Sequence, residues 1–351
     1  MNTTDRRPLL SRTAALPDAG DRAVRALAGA RVLVVGAGGL GAPVLTYLAG
    51  SGLGRITIVD HDTVDASNLA RQTLFAAADV GRPKATVAAE RVRGVDPALE
   101  VVALDESFRA EMVAGHDVVV DAADSVAVTR AVSDACAAER VPFVWGTVLG
   151  YDGQVSVFHD AAPTPVDFHD LHPDVFPDEG SCALDGVLPA LCGAVGSVMA
   201  AQVTALVAGL GEPLLGRVLT VDARRWRWTE SPVRRGPASH RPAPGAAADE
   251  VRWIAPAALA ERLAAGPVTL VDVRTDAERA DGVIAGSLVP ADLPADAAGD
   301  VVVVCARGPR AVAWARTAGP RALVLDGGIT AWLGEGRPVV DESADAGTIV
   351  M

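Results

Sequence analysis

The segment RVLVVGAGGLG (31–41) constrains the fold more than any other stretch, because an apolar strand runs directly into a glycine-rich turn. Gly36, Gly38 and Gly41 fit the G-x-G-x-x-G pattern, in which the turn approaches phosphate groups and a helix follows. The additional Gly39 leaves room for a nucleotide other than NAD or a flavin. The turn therefore predicts a nucleotide site, and residues further along the chain must decide between the nucleotides.

Apolar strand segments alternate with alanine-rich helical segments along the first half of the chain. Strands are predicted at RVLVVG (31–36), RITIVD (55–60), LEVVALD (99–105), DVVVDAAD (117–124) and VPFVWGTV (141–148), and helices at 41–52 and 82–95. GYDGQVSVF (150–158) predicts a turn and a further strand. This alternation is typical of an α/β fold with a mostly parallel, Rossmann-like sheet and right-handed crossovers.

A proline-rich segment separates this part from a second, smaller α/β unit. Residues 229–250 contain four prolines and show no apolar periodicity, which is typical of a semi-rigid linker. Strands are predicted after it at 268–274, 301–305 and 322–326. The predicted organisation is a nucleotide-binding domain over 1–228, a linker over 229–250, a second domain over 251–340 and a tail over 341–351.

The charge and cysteine content exclude several classes of function. The formal net charge of −13 makes the chain a poor binder of nucleic acid or of an anionic membrane. None of the four cysteines forms a C-x-x-C pair, and the N-terminal residues lack the apolar core of a signal peptide. A cytoplasmic protein with free thiols is predicted.

One uncharged segment, Val187–Gly211, is long enough to cross a membrane. It contains Pro189 and has small residues at Gly193, Ser197 and Ala201, a spacing that lets a helix pack closely against a neighbour. Because nothing else in the sequence suggests a membrane, we predict a buried helix here.

The residues beyond the second predicted strand favour ATP as the nucleotide. Asp60 ends that strand, where an acid binds ribose hydroxyls in dinucleotide folds and would do so for ATP. Asn68, Arg71 and Gln72 follow closely, and a triphosphate needs such cations and amide donors. Lys84 in GRPKAT adds a second cation, although no P-loop motif is present.

Two carboxylates complete this predicted site. Asp121 and Asp124 lie at the carboxyl end of the fourth predicted strand, which is where open α/β sheets bind their ligands. A carboxylate in that place can hold Mg²⁺. We therefore expect ATP with Mg²⁺, the metal being held by Asp124.

Together, GAGGLG, DHDTVDASNLARQ, GRPK and DAADS resemble the ubiquitin-activating-enzyme-like family. That family includes the adenylyltransferases that activate the small subunit of molybdopterin synthase and related sulfur carriers. The resemblance covers about residues 12–228. It implies that the C-terminal Gly-Gly carboxylate of a ubiquitin-like sulfur-carrier protein attacks the α-phosphate of ATP, giving an acyl adenylate and pyrophosphate.

The resemblance also implies roles for individual residues. The nucleotide-binding positions are Gly36, Gly38, Gly39, Gly41, Asp60, Ser67, Asn68, Arg71, Gln72, Lys84, Asp124 and Ser125. Arg71 and Lys84 would stabilise charge on the leaving pyrophosphate. Arg12 matches an arginine that reaches into the partner subunit's site, which implies a homodimer.

The chain departs from the family pattern at several positions. Similar proteins often hold a structural zinc between two C-x-x-C pairs, but this chain has DFHD (167–170) and SPVR (231–234) at the matching places. We therefore expect no structural zinc, and we interpret His169 and His172, despite their H-x-x-H spacing, as ordinary loop histidines.

Three further family positions differ. Ser125 stands where the family has asparagine, and Thr129 stands where it has arginine, with Arg130 one place later. The first arginine of the N-terminal motif is replaced by Leu9. The changes at Ser125 and Thr129 predict one weaker or water-mediated nucleotide contact, whereas Leu9 bears on the expected role of Arg12 in the partner subunit.

SCALDGVLP resembles the family's S-C-x-x-x-G-V segment, whose cysteine lies near the adenylate. The resemblance implies that Cys182 is a transient covalent partner of the activated carrier, through an acyl or a disulfide link. A half-buried structural thiol is the alternative. Cys136 and Cys192 are interpreted as packing residues.

In the second domain, VVVVCARGPRAVAWA predicts a buried strand that ends at Cys305, then a short loop and a helix. Backbone N–H groups of the loop, the helix dipole, Arg307 and Arg310 all favour a thiolate or a persulfide anion. A cysteine phosphatase needs arginine six residues after its cysteine, and Ala311 occupies that position.

The C-x-x-G-x-R loop resembles the rhodanese family, and LVDVRTDAE, GVIAGSLVP and LDGGITAW match further rhodanese landmarks over about 251–340. The resemblance implies that Cys305 carries a persulfide and that Asp272 and Arg274 brace the fold. The sulfur donor would be thiosulfate or a cysteine-desulfurase-type enzyme.

The two halves predict a bifunctional adenylyltransferase and sulfurtransferase, since adenylation makes a carboxylate electrophilic and a persulfide can then attack it. The alternatives are an NAD-dependent oxidoreductase with a regulatory rhodanese module and a non-catalytic binder of ubiquitin-like proteins. The pathway of the carrier stays open among molybdopterin, thiamine, cysteine, thiolated tRNA and a secondary metabolite.

Overall fold

The structure, a computed structural model, describes residues 6–17, 19–173, 186–236, 252–294, 299–306, 309–318, 321–341 and 349–350. The chain divides into two compact units at about residue 244, within the predicted linker.

The first unit alternates strands and helices up to its fifth strand and continues with antiparallel strands. Its strands are β1 (Arg31–Val35), β2 (Arg55–Val59), β3 (Glu100–Leu104), β4 (Val118–Asp121), β5 (Phe143–Leu149), β6 (Asp152–Phe158), β7 (Arg217–Asp222) and β8 (Arg227–Pro232). Its helices are α1 (Arg7–Ala14), α2 (Gly20–Gly29), α3 (Gly41–Ala49), α4 (Lys84–Val95), α5 (Val126–Glu139), α6 (Phe168–Leu171) and α7 (Pro189–Ala208).

These strands form one mixed sheet in the order β3-β2-β1-β4-β5-β6-β7-β8. Strands β1 to β5 pair in parallel, and β5 to β8 pair as antiparallel neighbours. The predicted mostly parallel, Rossmann-like sheet is thereby confirmed. The chain leaves β1 toward β2 on one side and returns through β4 on the other, so a crevice opens at the carboxyl ends of β1 and β4.

Two apolar layers cover the sheet. One contains α3, α4 and α7 and includes Val34, Leu45 and Met199, all fully buried. The other contains α5 and α6 and includes the tilted ring pair of Phe143 and Phe158. Because both faces are covered, β1, β2 and β4 are continuous runs of valine, isoleucine and leucine rather than alternating strands.

The apolar segment predicted as a buried helix forms α7. Within the described residues it is the one helix that by length and composition could cross a membrane, and half of its most apolar window is buried. It packs against α3 so closely that a Cβ atom on Gly196 would lie 2.7 Å from the carbonyl oxygen of Leu40. This packing supports the interpretation as a core helix.

The predicted boundary at residue 228 falls too early. Strand β8 continues to Pro232, and Ser231 pairs with Val218 of β7 across the antiparallel ladder. The first residues of the predicted linker therefore belong to the sheet. Strands β7 and β8 were not predicted from the sequence, and β8 is exposed at every position, so it shows no inward-facing apolar pattern. The other domain boundaries stay predictions.

The second unit contains a small parallel sheet in the order β11-β10-β12-β13-β9. Its elements are β9 (Arg252–Ile254), α8 (Pro256–Ala265), β10 (Thr269–Asp272), α9 (Asp276–Arg279), β11 (Ser287–Leu288), β12 (Val301–Val304), α10 (Pro309–Ala318), β13 (Ala322–Leu325), α11 (Gly328–Gly334), β14 (Val339–Val340) and β15 (Ile349–Val350). Strand β15 lies in the predicted tail and pairs with β14.

Candidate functional site

The glycine loop connects β1 to α3 and requires glycine at two positions. Gly36 has a φ of +93°, and a Cβ atom there would lie 2.7 Å from the carbonyl oxygen of Ala122. A Cβ atom on Gly41 would lie 2.0 Å from the carbonyl oxygen of Gly36. The loop is therefore closed tightly against the end of β4, and no larger residue fits at either position.

Asp60 follows β2 and stabilises the glycine loop through a hydrogen bond to its backbone. One carboxylate oxygen accepts a hydrogen bond from the backbone N–H of Ala37 at 2.7 Å, and the other accepts from the N–H of Asp62 at 2.9 Å. Burial raises the pKa of Asp60 although these hydrogen bonds oppose the shift. Asp60 thus holds the loop by its backbone and lies where a ribose is expected.

Lys84 begins α4 and is almost buried, with a side chain 7% exposed. Its Nζ atom lies 2.8 Å from a carboxylate oxygen of Asp62, and its backbone N–H donates to the carbonyl of the same residue. Sequence reasoning missed Asp62 as the partner, although the Asp-His-Asp spacing after β2 was a visible signal. A shielded ammonium beside the nucleotide loop is suited to binding phosphate.

Arg71 and Gln72 lie over the glycine loop. The Cδ atom of Arg71 and the Sγ atom of Cys192 lie 3.5 Å and 3.2 Å from the position that a Cβ atom on Gly39 would take. The Nε2 atom of Gln72 lies 3.8 Å from the corresponding position at Gly38. The structure therefore brings the predicted cation and amide onto the two middle glycines, with α7 beneath them.

Gln72 is buried, and its Oε1 atom has no hydrogen-bond partner among the described residues. A buried amide oxygen without a hydrogen-bond partner lowers the stability of the folded protein. A donor on a bound ligand would supply the missing hydrogen bond. This observation fits the predicted role of Gln72 in nucleotide binding.

Ser67 and Asn68 lie in a short 3-10 helix (Ala66–Asn68) that Asp65 caps. The carboxylate of Asp65 accepts from the backbone N–H of Ser67 at 2.8 Å and from its hydroxyl at 2.6 Å. Asn68 donates through Nδ2 to the hydroxyl of Ser67 at 3.3 Å. This turn carries the chain back toward the loop, so that Arg71 and Gln72 reach the glycines.

The carboxyl end of β4 supplies the two predicted acids in different environments. Asp121 is fully buried, and its Oδ2 atom has no partner within the described part of the chain. Burial raises the pKa of Asp121 to about 7. Asp124 is exposed, and Ser125 precedes α5 without capping it through its hydroxyl.

Thr129 and Arg130 lie one turn into α5, and their side chains face different neighbours. Thr129 is buried beside Asp121, where it opposes part of the rise that burial causes in the pKa of that acid. Arg130 instead donates to the Nδ1 atom of His169 at 3.0 Å and to the carbonyl of His172 at 3.4 Å. The shift of the arginine by one position has therefore turned its side chain toward α6.

The two histidines of the H-x-x-H spacing have protein partners. Because Arg130 can only donate, Nδ1 of His169 accepts, and Nε2 donates to Asp134 at 3.1 Å. Burial and the nearby Arg130 lower the pKa of His172 to about 4. Both ring nitrogens of His169 are thus used within the protein, which supports the interpretation as a non-ligating histidine.

Arg235 forms an ion-pair cluster at the places where similar proteins carry C-x-x-C pairs. Its guanidinium lies 2.6 Å from Asp160, 2.9 Å from Asp167 and 3.3 Å from Asp170. Burial opposes the charge of Arg235, but the bonds to Asp160 and Asp170 outweigh it and raise its pKa. This Arg235 cluster joins the end of the β8 region to α6 by electrostatics.

Arg12 lies in the last turn of α1 and is exposed. Neighbouring Leu10 is buried against Gly52, whereas Leu9 remains 39% exposed. Helix α1 is thus anchored on the unit by one face while Arg12 projects from another.

In the second unit, Cys305 follows β12 and is 1% exposed, in an apolar cluster with Ala311 and Val324. Its backbone carbonyl accepts from the N–H of Ile329 at 2.9 Å, which ties the cysteine to the start of α11. Arg307 lies outside the described residues.

Two ion pairs fix the surroundings of this cysteine. Asp272 is completely buried and binds Arg274 at 2.7 Å, and Arg274 also donates to the carbonyl of Gly282 at 2.8 Å. Arg310, expected to add positive charge near Cys305, instead binds the carboxylate of Glu278 at 2.5 Å. Sequence reasoning missed Glu278 because nothing links positions 278 and 310 by spacing.

The structure thus brings together most of the predicted nucleotide-site residues. The glycine loop, Asp60, Arg71, Gln72 and Lys84 surround the carboxyl edge of β1 and β2, and Asp124 follows β4 at the same edge. Cys182 lies outside the described residues. Cys136 and Cys192 are buried and form no disulfide, in agreement with their interpretation as packing residues.

Two family models match the chain. The ThiF family model matches residues 10–241, and the rhodanese-like domain model matches residues 255–335. Together they cover both units.

Several curated proteins are similar in sequence to this chain, over part of its length or nearly all of it. The probable adenylyltransferase/sulfurtransferase MoeZ of Mycobacterium tuberculosis is 37% identical over 93% of each chain. The sulfur carrier protein adenylyltransferase of Thermus thermophilus is 39% identical over 63% of this chain and 85% of its own. The adenylyltransferase and sulfurtransferase MOCS3 of Mus musculus is 42% identical over 60% of this chain and 47% of its own.

Solved structures share the fold of the first unit. E. coli MccB with ATP superposes with a TM-score of 0.54 at 20% identity, covering 61% of this chain and 66% of that chain. PaaA superposes with a TM-score of 0.56 at 19% identity, covering 66% and 74%. The resemblances inferred from the motifs are thus confirmed, and the chain belongs to the ThiF family, carries a C-terminal rhodanese-like domain, and is by family an adenylyltransferase and sulfurtransferase.

Proposed function

We propose that this protein adenylates the C-terminal Gly-Gly carboxylate of a ubiquitin-like sulfur-carrier protein and then converts it to a thiocarboxylate. The observation that carries the proposal is the convergence of Lys84, Arg71 and the unpartnered amide oxygen of Gln72 on a glycine loop without a P-loop lysine. An NAD site has no use for two cations there, because a dinucleotide carries less phosphate charge than ATP.

In the first step, a carboxylate oxygen of the carrier attacks the α-phosphorus of ATP, and the bond to pyrophosphate breaks. Lys84 and Arg71 stabilise the charge that develops on the leaving pyrophosphate, which is the main work of phosphoryl-transfer sites. Asp62 holds the Lys84 ammonium in place, and the remaining N–H donors of that ammonium can contact phosphate. Asp60 and the glycine loop hold the nucleoside.

Mg²⁺ is expected with ATP, and the residues fit it. Asp124 offers an exposed carboxylate at the carboxyl edge of the sheet, and hard carboxylate oxygens suit this cation. Asp121 is less suited, because burial keeps its carboxyl protonated to about neutral pH. Bound Mg²⁺ would neutralise phosphate charge, while Ser125 and Asn68 contribute polar contacts to the nucleotide.

In the second step, the terminal sulfur of a persulfide on Cys305 attacks the acyl carbon, and AMP leaves. The product is an acyl disulfide, whose S–S bond a thiol must cleave to release the thiocarboxylate. Cys182 is the proposed thiol, and the disulfide that it forms with Cys305 is reset by an external thiol reductant. Thiosulfate or a cysteine-desulfurase-type donor reloads Cys305 with sulfur.

We further propose a cytoplasmic homodimer in which Arg12 acts on the partner subunit's nucleotide. The exposure of Arg12 in the last turn of α1 supports a role in another copy. No structural zinc is proposed, since the Arg235 cluster fills the corresponding place.

The deciding experiment is carrier-dependent exchange of labelled pyrophosphate into ATP. The wild type should exchange only when a Gly-Gly-tailed carrier and magnesium are present. Lys84→Met should reduce exchange at least 100-fold, because a phosphate cation is lost. Arg225→Gln, which changes a cation 77% exposed in the β7–β8 turn, serves as the matched control. Absence of exchange with every carrier would refute the proposal, as would full exchange by Lys84→Met.

A further inference from the structure

The rhodanese-like unit contains an ion pair between Glu278 of α9 and Arg310 of α10. The two Nη atoms of Arg310 donate to the two carboxylate oxygens of Glu278 at 2.8 Å and 2.5 Å. This is the bidentate geometry in which arginine and carboxylate hold each other most firmly. The Arg310 side chain is only 11% exposed, so the pair is partly shielded from solvent.

Glu278 is itself fixed by the N-terminus of its own helix. The carboxylate accepts from the backbone N–H of Thr275 at 2.8 Å and from its hydroxyl at 2.7 Å, which completes a capping box. The backbone carbonyl of Glu278 accepts from Arg274, which is bound to buried Asp272. Glu278 is thus connected to strand β10 and cannot move independently of it.

The other end of the ion pair lies beside the sulfur site. Arg310 is the second residue of α10 and follows Cys305 by five positions, at the end of the loop that leaves the cysteine. At the start of that loop, the carbonyls of Cys305 and Ala306 are bound by the N–H groups of Ile329 and Thr330. The Glu278 pair therefore fixes the far end of the cysteine loop, as α11 fixes the near end.

The pair also changes the charge that Cys305 experiences. A free guanidinium in the first turn of α10 would attract a thiolate or persulfide. Bound to Glu278, it contributes little net charge, and the first-turn N–H groups of α10 carry the stabilisation instead. Arg310 holds the pKa of Glu278 at about 2, so the carboxylate is ionised at every pH at which the enzyme works.

We propose that Glu278 is a positioning residue for sulfur transfer: by binding Arg310 it orients the first turn of α10 beside Cys305 and cancels the charge of Arg310. The proposal rests on the proposed role of Cys305. It assigns the stabilisation of the sulfur anion to the first-turn N–H groups of α10, and it makes Arg310 an anchor.

The test measures alkylation of Cys305 by iodoacetamide against pH, resolved by peptide mass spectrometry in the full-length protein. Glu278→Gln keeps the shape of the side chain and releases the charge of Arg310. The midpoint should move to lower pH by roughly half a unit, as expected for one uncompensated positive charge in the neighbourhood of the cysteine. Glu335→Gln, which removes an acid from the exposed pair with Arg337, should leave the midpoint unchanged.

A second background separates electrostatic coupling from a general structural effect. If the two charges of the pair cancel at Cys305, Arg310→Gln alone should raise the midpoint, and the double variant Glu278→Gln/Arg310→Gln should return it close to the wild-type value. A double variant whose midpoint stays as low as that of Glu278→Gln alone, or no shift in any variant, overturns the proposal. Alkylation needs no turnover, so this result stands apart from the proposed function, which fails separately if Cys305→Ser still transfers sulfur.

Glu278→Asp covers the case in which the glutamine variant does not fold. The shorter carboxylate keeps its charge but cannot reach Thr275 and Arg310 together, so the alkylation midpoint should stay while kcat for sulfur transfer from thiosulfate to cyanide falls about tenfold. The KM for thiosulfate should change less than twofold. A wild-type kcat in this variant contradicts positioning by Glu278.

Discussion

Replacement of Arg235 by glutamine should destabilise the first unit by an amount that the Arg235 cluster allows us to estimate. The guanidinium faces three carboxylates, and the side chains of Asp167 and Asp170 are 4% and 0% exposed. Removing one partner of a buried ion pair costs about 3–5 kcal/mol. Arg235 is 43% exposed, and each of the two buried acids also accepts a backbone N–H within α6, so we expect about 2–3 kcal/mol.

The assay is calorimetric unfolding of the full-length protein at neutral pH. A loss of 2–3 kcal/mol lowers the melting temperature of a unit of this size by roughly 5–10 °C. Arg225→Gln is again the matched control, because its pair with Asp222 is exposed and should contribute less than about 0.5 kcal/mol. If Arg235→Gln melts within about 1 °C of the wild type, the cluster does not join β8 to α6 energetically and the reasoning is wrong.

Further outcomes follow from the nucleotide site and from the expected lack of zinc. Gly41→Ala places a Cβ atom 2.0 Å from a carbonyl oxygen, so binding of ATP, measured by calorimetric titration, should fall at least tenfold; unchanged affinity would contradict the loop geometry. Asp121 keeps its proton to about pH 7 when folded but releases it near pH 4 when unfolded, so stability should fall as pH rises from 4 to 7. Asp121→Asn should flatten that slope in urea unfolding, and an identical slope would exclude Asp121 as its source. Treatment with a zinc chelator should leave the melting temperature unchanged, and stoichiometric zinc in elemental analysis would disprove this.

The sequence predicted those features that depend on neighbouring residues. The valine-rich strands and the glycine turn are local patterns, so β1 and the loop containing Gly36 and Gly41 were found together with the helix that follows. The residues that approach the loop, Arg71 and Gln72, were predicted through a motif of fixed spacing. The same reasoning assigned Cys305 to the end of a buried strand.

Long-range pairing was not predictable in this way. Arg235 meets carboxylates that lie 65 to 75 positions earlier in the chain, and Glu278 meets Arg310 across 32 positions. Such pairs leave no periodic signal in a single sequence, because the sequence does not distinguish an arginine that pairs with a distant acid from one that is only solvated. The prediction that Arg310 adds net charge at Cys305 was therefore wrong in its electrostatics, although the position of Arg310 beside the loop was predicted.

The apolar composition of helix α7 can arise from a requirement for small side chains. Gly196 allows the helix backbone to pack directly against Leu40, and the side chain of Cys192 packs against Gly39. The helix therefore supports the nucleotide loop from one side. Where α7 passes under the loop, the space for side chains is small, and even a methyl group on Gly196 would collide with Leu40. A leucine there would displace the loop, so the lipid-like hydropathy of this helix follows partly from a limit on side-chain size.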